Sequence, residues 1–303
     1  MNNISTGGIN TAVLSHHVNY YTITGAESMF VDNVNNHIQH ALALAFDAGF
    51  KMPELFFKNN LTDEQIERLE SDYHWEFIDN TVIFRPDGTE VSYVMFWNGE
   101  KFICHTIFIN DKALMNDSQG GDIPANCVTC FPGKLSINKQ LTKISSELAE
   151  REKNWKGFIT LDLILTGGNI IYRDIRFSLL EDYLFCLATL NKSGIEELIE
   201  KLESGETLPK PEGFACSMRL YTYPYDPFEN KQAAAAAYPF ISAAYEGTES
   251  FILTHRGERI KDTWKDLLSQ IPKHAAKYNL CYRTDGDKKA RQAYNTLMRE
   301  HYL

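Results

Sequence analysis

The chain has 303 residues, of which 44% are hydrophobic, and a formal net charge of −10. That length exceeds one small core and points to two domains, or one large mixed domain with additions. The acidic balance, without a run of Lys or Arg, disfavours nucleic acid held by phosphate neutralisation.

The first residues lack a basic segment followed by an apolar block, so no signal peptide is expected. No apolar stretch reaches the roughly 18 residues of a membrane span. The longest candidate, "AAAAAYPFISAAY", is broken by a proline and tyrosines. Six cysteines are scattered without paired spacing, Cys127 and Cys130 apart, which is the usage of a reducing cytoplasm. Zinc at Cys127-x-x-Cys130 would need a second pair at finger or ribbon spacing, and Pro132-Gly133 argues against a redox motif opening a helix.

In chain order, residues 30–50 predict a helix with Gly49 at its C-terminal end. "TDEQIERLE" predicts a second, with Thr62 as N-cap and Gln65 completing a capping box. "NTVIFRP" reads as a strand. "EVSYVMFWNGEKFICHTIFIN" reads as a hairpin turning at Asn98-Gly99 in a two-residue type I′ turn. The Asp-, Asn-, Gly- and Pro-rich stretch from Asp111 to Lys134 predicts a long loop. A helix follows, capped by Ser136, with Ile137, Leu141, Ile144 and Leu148 as its apolar stripe.

"GFITLDLILTGGNIIYRDIRF" predicts two strands joined across Thr166 to Asn169. "SLLEDYLFCLATLNK" and "GIEELIEKLESGE" predict helices, and the prolines near residue 210 mark a boundary. Beyond it, "FACSMRLYTYPY" and "SFILTHRGER" read as strands and "DTWKDLLSQIPKHAAKY" as a helix. "YRTDGDKKAR" reads as a charged turn, and the five alanines from Ala233 as a buried helix. Strands and helices mixed with hairpins predict an α+β architecture.

Alternation along the strand "NIIYRDIRF" places Tyr172, Asp174 and Arg176 on one face. Asp162 lies within the apolar strand "FITLDLIL", and a carboxylate there needs a partner. Two readings stay open. Arg176 forms a structural ion pair with Asp162 or Asp174, or a cation sits between the two carboxylates, as Mg²⁺ does with nucleotide phosphates. In the loop after Asp111, Gly120 and Gly121 allow backbone N–H groups to approach an anion, at a spacing that fits neither a P-loop nor a dinucleotide fingerprint.

Taken in order, these segments resemble the ATP-grasp fold, and within it phosphoribosylamine–glycine ligase, over roughly residues 30–290. Arg176, Phe177 and Glu181 match the family's Glu-x-Asn-x-Arg-Phe frame with its following acidic residue. Tyr172 stands in the Glu position and Asp174 in the Asn position. Asp162 stands where some ATP-grasp ligases carry an aspartate. "EVSYVMFWNGEKF" is similar to the strand after a Gly-x-Glu element, with Glu90 in the Glu position and Arg85 in that of a lysine. "YRTDGD" looks like the family's C-terminal active-site sequence.

The resemblance implies an ATP-grasp-like core over residues 51–210, a remnant N-terminal segment over 1–50, a reduced lid, and a β-rich C-terminal domain over 211–303. It implies an ATP- and Mg²⁺-dependent ligase joining a glycine-like amino acid to an amine through an acyl phosphate. Asp162 and Asp174 would hold metal. Arg176, Lys112 and Arg283 would contact phosphate or substrate, and Arg85, Glu90, Gly120 and Gly121 would contribute to the nucleotide and substrate sites. The alternative is a ligase-like protein that has lost ATP-dependent ligation and binds, or reacts, in the same cleft. Both readings imply small-molecule partners, a cytoplasmic location and no membrane or nucleic acid, and leave a homo-oligomer open.

Overall fold

Continuous apolar runs, rather than alternating ones, build the centre of the molecule, as expected of strands covered on both faces. In a computed structural model, residues 9–15, 18–23, 47–51, 54–78, 81–111, 114–116, 122–124, 126–151, 156–206, 208, 210–222, 250–271 and 280–300 are described.

The strands β1 (Ile9–Ser15) and β2 (Val18–Ile23) form a hairpin. A small unit follows: β3 (Leu55–Phe57), helix α1 (Asp63–Glu70), β4 (Trp75–Ile78) and β5 (Thr81–Phe84), with sheet order β3-β5-β4. The capping box of α1 is formed: Gln65 N–H donates to Thr62 Oγ1, and Thr62 N–H to Gln65 Oε1 at 2.8 Å. Next come β6 (Thr89–Trp97), β7 (Phe102–Asp111), β8 (Leu114–Asn116), β9 (Asp122–Pro124), β10 (Cys127–Pro132) and helix α2 (Asn138–Arg151). The strands β11 (Gly157–Thr166), β12 (Asn169–Arg176) and β13 (Ser178–Leu180) lead to α3 (Glu181–Leu190) and α4 (Ile195–Ser204). The chain then forms β14 (Phe214–Thr222), β15 (Ser250–Gly257), α5 (Ile260–Gln270), β16 (Leu280–Cys281) and α6 (Gly286–Glu300).

Among the described residues the main sheet is antiparallel, in the order β12-β11-β6-β7-β10-β14-β15, with β16 on β14. One face carries Val91, Tyr93, Met95 and Trp97 of β6 against α2 and α6. The expected stripe of α2, Ile137, Leu141, Ile144 and Leu148, is buried there. The other face carries Val94, Phe96 and Phe108 against α3 and α4. Each fully buried aliphatic or aromatic side chain contributes about 1.5–3 kcal/mol, so the two cores clamp the sheet firmly.

Several expectations are corrected. The stretch from Asp111 to Lys134 is not one long loop, because "CVTCFP" is an apolar run that inserts as β10 between β7 and β14, fully covered on both faces. The β6–β7 turn spans four residues. Trp97 pairs with Phe102, and Asn98 Oδ1 accepts from the N–H groups of Glu100 and Lys101, an Asx turn that lengthens the connection. Helix α2 begins at Asn138, two residues beyond the expected cap Ser136. The segment "SLL" pairs with β2 as β13 before α3 begins, and the charged "DGDKKAR" opens α6. Pro211 falls between α4 and β14. Gly49 has φ 80°, as its role at a helix end requires. The rest of that helix, over residues 30–46, and the alanines at 233–237 lie outside the described residues. No helix among the described residues is long and apolar enough to cross a membrane.

Candidate active site

The strands β6, β11 and β12 position the site. Asp162 of β11 lies opposite Ser92 on one side and Asp174 on the other. Its carboxylate accepts from Ser92 Oγ at 2.5 Å and from Arg176 Nη2 at 2.8–2.9 Å on both oxygens. Ser92 Oγ also lies 2.9 Å from Tyr183 Oη, at the start of α3. Burial, then the nearby Asp162 charge, pushes the Tyr183 hydroxyl up to about 12, so it stays protonated and can donate.

Asp174 accepts from the N–H of Ile175 at 2.8 Å. Burial, then repulsion by Asp162, pushes its carboxyl up to about 6, in spite of Arg176 and Arg173 nearby. Burial is the larger cause, and it favours the neutral acid at Asp174, while Asp162 already has Arg176 and Ser92 as partners.

The expected common face of Tyr172, Asp174 and Arg176 is not formed. The pairing of β11 with β12 shifts register between Asp162 and Leu163, a β-bulge that puts an extra residue on β12. Tyr172 consequently turns into the opposite core, 1% exposed, its ring 5.8 Å from that of Phe50. Arg173, which simple alternation would aim the other way, instead joins the site and donates to Glu90 at 3.0 Å. Glu90 also pairs with Arg85, so two residues expected at the nucleotide site neutralise each other.

A cavity of about 20 Å³ is lined by Glu90, Ser92, Asn110, Asp162, Arg173, Arg176 and Tyr183, with Val91. Asn110 Oδ1 and Arg176 Nε are buried beside it without a protein partner among the described residues. Orphaned buried polar atoms cost free energy unless a water or ion satisfies them, and this volume holds one such guest. No group of three or more His, Cys, Asp or Glu side chains fit to hold a metal occurs among the described residues.

Arg283 belongs to a neighbouring network at the end of β7. It donates to Asp111 Oδ2 at 2.8 Å and to Asp285 at 2.9 Å, while Lys289 lies 3.3 Å from Asp111. Lys112, Gly120 and Gly121 lie outside the described residues. Ser92, Asn110, Arg173 and Tyr183 were not singled out from sequence. Ser92 alone carried a signal, as a hydroxyl among the apolar residues of "EVSYVMFW" that ends up on the face of Val94 and Phe96.

Likeness to solved structures defines the class: the chain has an ATP-grasp fold. Among solved structures it is similar to phosphoribosylamine–glycine ligase of Thermotoga maritima, with 14% identity, a TM-score of 0.53 and 82% of each chain covered. It is also similar to the biotin carboxylase domain of a single-chain bacterial carboxylase, with 11% identity and a TM-score of 0.50, over 88% of this chain and 74% of that one. No protein-family model and no curated protein matches the sequence.

Proposed function

We propose that the protein is an ATP-grasp ligase that activates a carboxylate with ATP and Mg²⁺ and passes it to an amine. The observation that carries this reading is the pairing of Asp162 with Asp174 in register, over Arg176, with the Asp174 carboxyl raised to about 6. Mg²⁺ is commonly held by one or two carboxylates plus substrate phosphates; the proposed ligands are Asp162 and, opposite it on β12, Asp174, with Asn110 Oδ1, which lines the cavity beside Asp162, as a further oxygen. When bound, the ion would neutralise charge on the transferring phosphoryl group.

The chain's own residues then divide the work. Asp174 offers the less committed carboxylate, since Asp162 is already held by Arg176 and Ser92. Arg176 keeps an unpaired Nε–H for an anion, and Arg173 lines the same cavity beside Glu90. Lys112, Gly120, Gly121 and Arg283 are proposed substrate contacts, Arg283 on exchange of its Asp111 partner. The amino acid is proposed to be glycine-like, and the acceptor a small amine.

A second reading is favoured by a separate observation. The cavity at Asp162 has room for an ion but not for a nucleotide, and Tyr172 withdraws from the metal-ligand position into the core. Under that reading ATP-dependent ligation has been lost. Thermal unfolding with Mg-ATP separates the two. Saturating ligand at about a hundredfold over Kd adds roughly 2.7 kcal/mol, raising Tm by several degrees. No shift at millimolar Mg-ATP would establish the second reading.

A further inference from the structure

A larger cleft, of about 530 Å³, lies at the opposite end of β7 from Asn110 and Asp162. That volume is in the range of small-molecule pockets, roughly 300–1,000 Å³. Ile103 and Cys104 of β7, with Leu208 and Pro211 from the loop after α4, give it apolar walls. Lys101, Lys134 and Lys210 stand around it, exposed, against the single acid Glu206. No acceptor among the described residues holds any of the three ammonium groups. In a chain of net charge −10, this is a local positive excess.

One wall of the cleft, at Cys104 and His105, sits at a distortion of the strand pair. Along β6 and β7 the register shifts, with Val94 opposite Thr106 but Phe96 opposite Ile103. The extra residue puts Cys104 at φ 56°, a conformation that costs a non-glycine residue on the order of 1–3 kcal/mol. The bulge turns His105 toward Tyr93, whose hydroxyl lies 2.6 Å from Nδ1. Burial, then Lys134, lowers the His105 imidazole to about 4, and burial raises the Cys104 thiol to about 12. At neutral pH neither is charged, so the attraction comes from the lysines and the cleft is suited to binding rather than covalent chemistry.

We propose that this cleft is a second ligand site, for a small organic anion: a flat apolar body carrying one carboxylate or phosphate. The apolar body would lie on Ile103 and Leu208, and the anion would be held among Lys134, Lys210 and Lys101. The proposal stands independently of the ligase reading.

The test is a fluorescence titration of the full chain with 8-anilinonaphthalene-1-sulfonate, an apolar anion that brightens in apolar surroundings. Saturable binding is expected, displaced by 1-naphthyl phosphate or 1-naphthoate and not by uncharged 1-naphthol; the stronger competitor identifies the preferred anion. Replacing Lys134→Gln together with Lys210→Gln should weaken the dye about tenfold, as loss of charge-assisted contacts does. Both side chains border open solvent, so the melting temperature should hold. Absence of saturable binding, equal displacement by naphthol, or unchanged affinity in the lysine variant would each overturn the proposal.

Discussion

Replacing Asp174→Asn tests the electrostatics of the site directly. Asn keeps the oxygen that accepts from Ile175 N–H and removes the ionisation. In the folded protein the Asp174 carboxyl titrates near 6, against 3.8 for an unperturbed aspartate. Between those values the native state holds the proton and the unfolded chain has released it, so stability falls as pH rises. The gap of about two pH units, at about 1.4 kcal/mol each, comes to about 3 kcal/mol. Asp174 is half-buried, so solvent screening brings this nearer 2. Urea unfolding of both proteins from pH 3.5 to 8 should find them closely matched near pH 3.5. The variant should gain about 2 kcal/mol over wild type by pH 7, with most of the change between pH 4 and 6. Magnesium should narrow the gap at pH 7.5 by stabilising wild type alone. A stability difference that stays flat across this range would refute the reasoning, because no proton would then be linked to folding at Asp174.

Three further outcomes are expected. Arg219 and Asp182 form a 2.8 Å pair, 4% and 9% exposed, so Arg219→Met should cost about 3–5 kcal/mol in urea melts by stranding Asp182. Adding Asp182→Leu should recover most of it. Arg176→Gln should lower Mg-ATP-dependent ADP release, assayed with mixed amino acids and amines, by about a hundredfold, the scale of losing a donor aimed at developing charge. Gly213 has φ 78°, and a Cβ there would meet the Gly257 carbonyl oxygen at 2.4 Å, so Gly213→Ala should lower stability by about 2–3 kcal/mol, read as a reduced urea midpoint.

Local signals carried most of the elements. The capping box at Thr62, the four-residue spacing of α2 and the paired strands around Gly167-Gly168 are properties of short segments, and each formed. The candidate residues Asp162, Asp174 and Arg176 were legible because charged groups in apolar strands demand partners. Strand β10 was not legible. Its flanks are rich in turn residues, and only pairing with β7 and β14 makes "CVTCFP" a central strand.

By itself, the sequence determined the α+β class, most of the main strands and helices, and the presence of a carboxylate–arginine site, since those follow from periodicity, capping and the cost of lone buried charge. Tertiary structure decided which side chains meet there. Side-chain direction in a strand has a period of two, so the one extra residue in β12 exchanged Tyr172 for Arg173 at the site. The extra residue in β7 likewise falls at Cys104 and His105, which line the lysine-rimmed cleft. Neither bulge is written in local propensity. Each is set by the register that best packs two cores on opposite faces of one sheet.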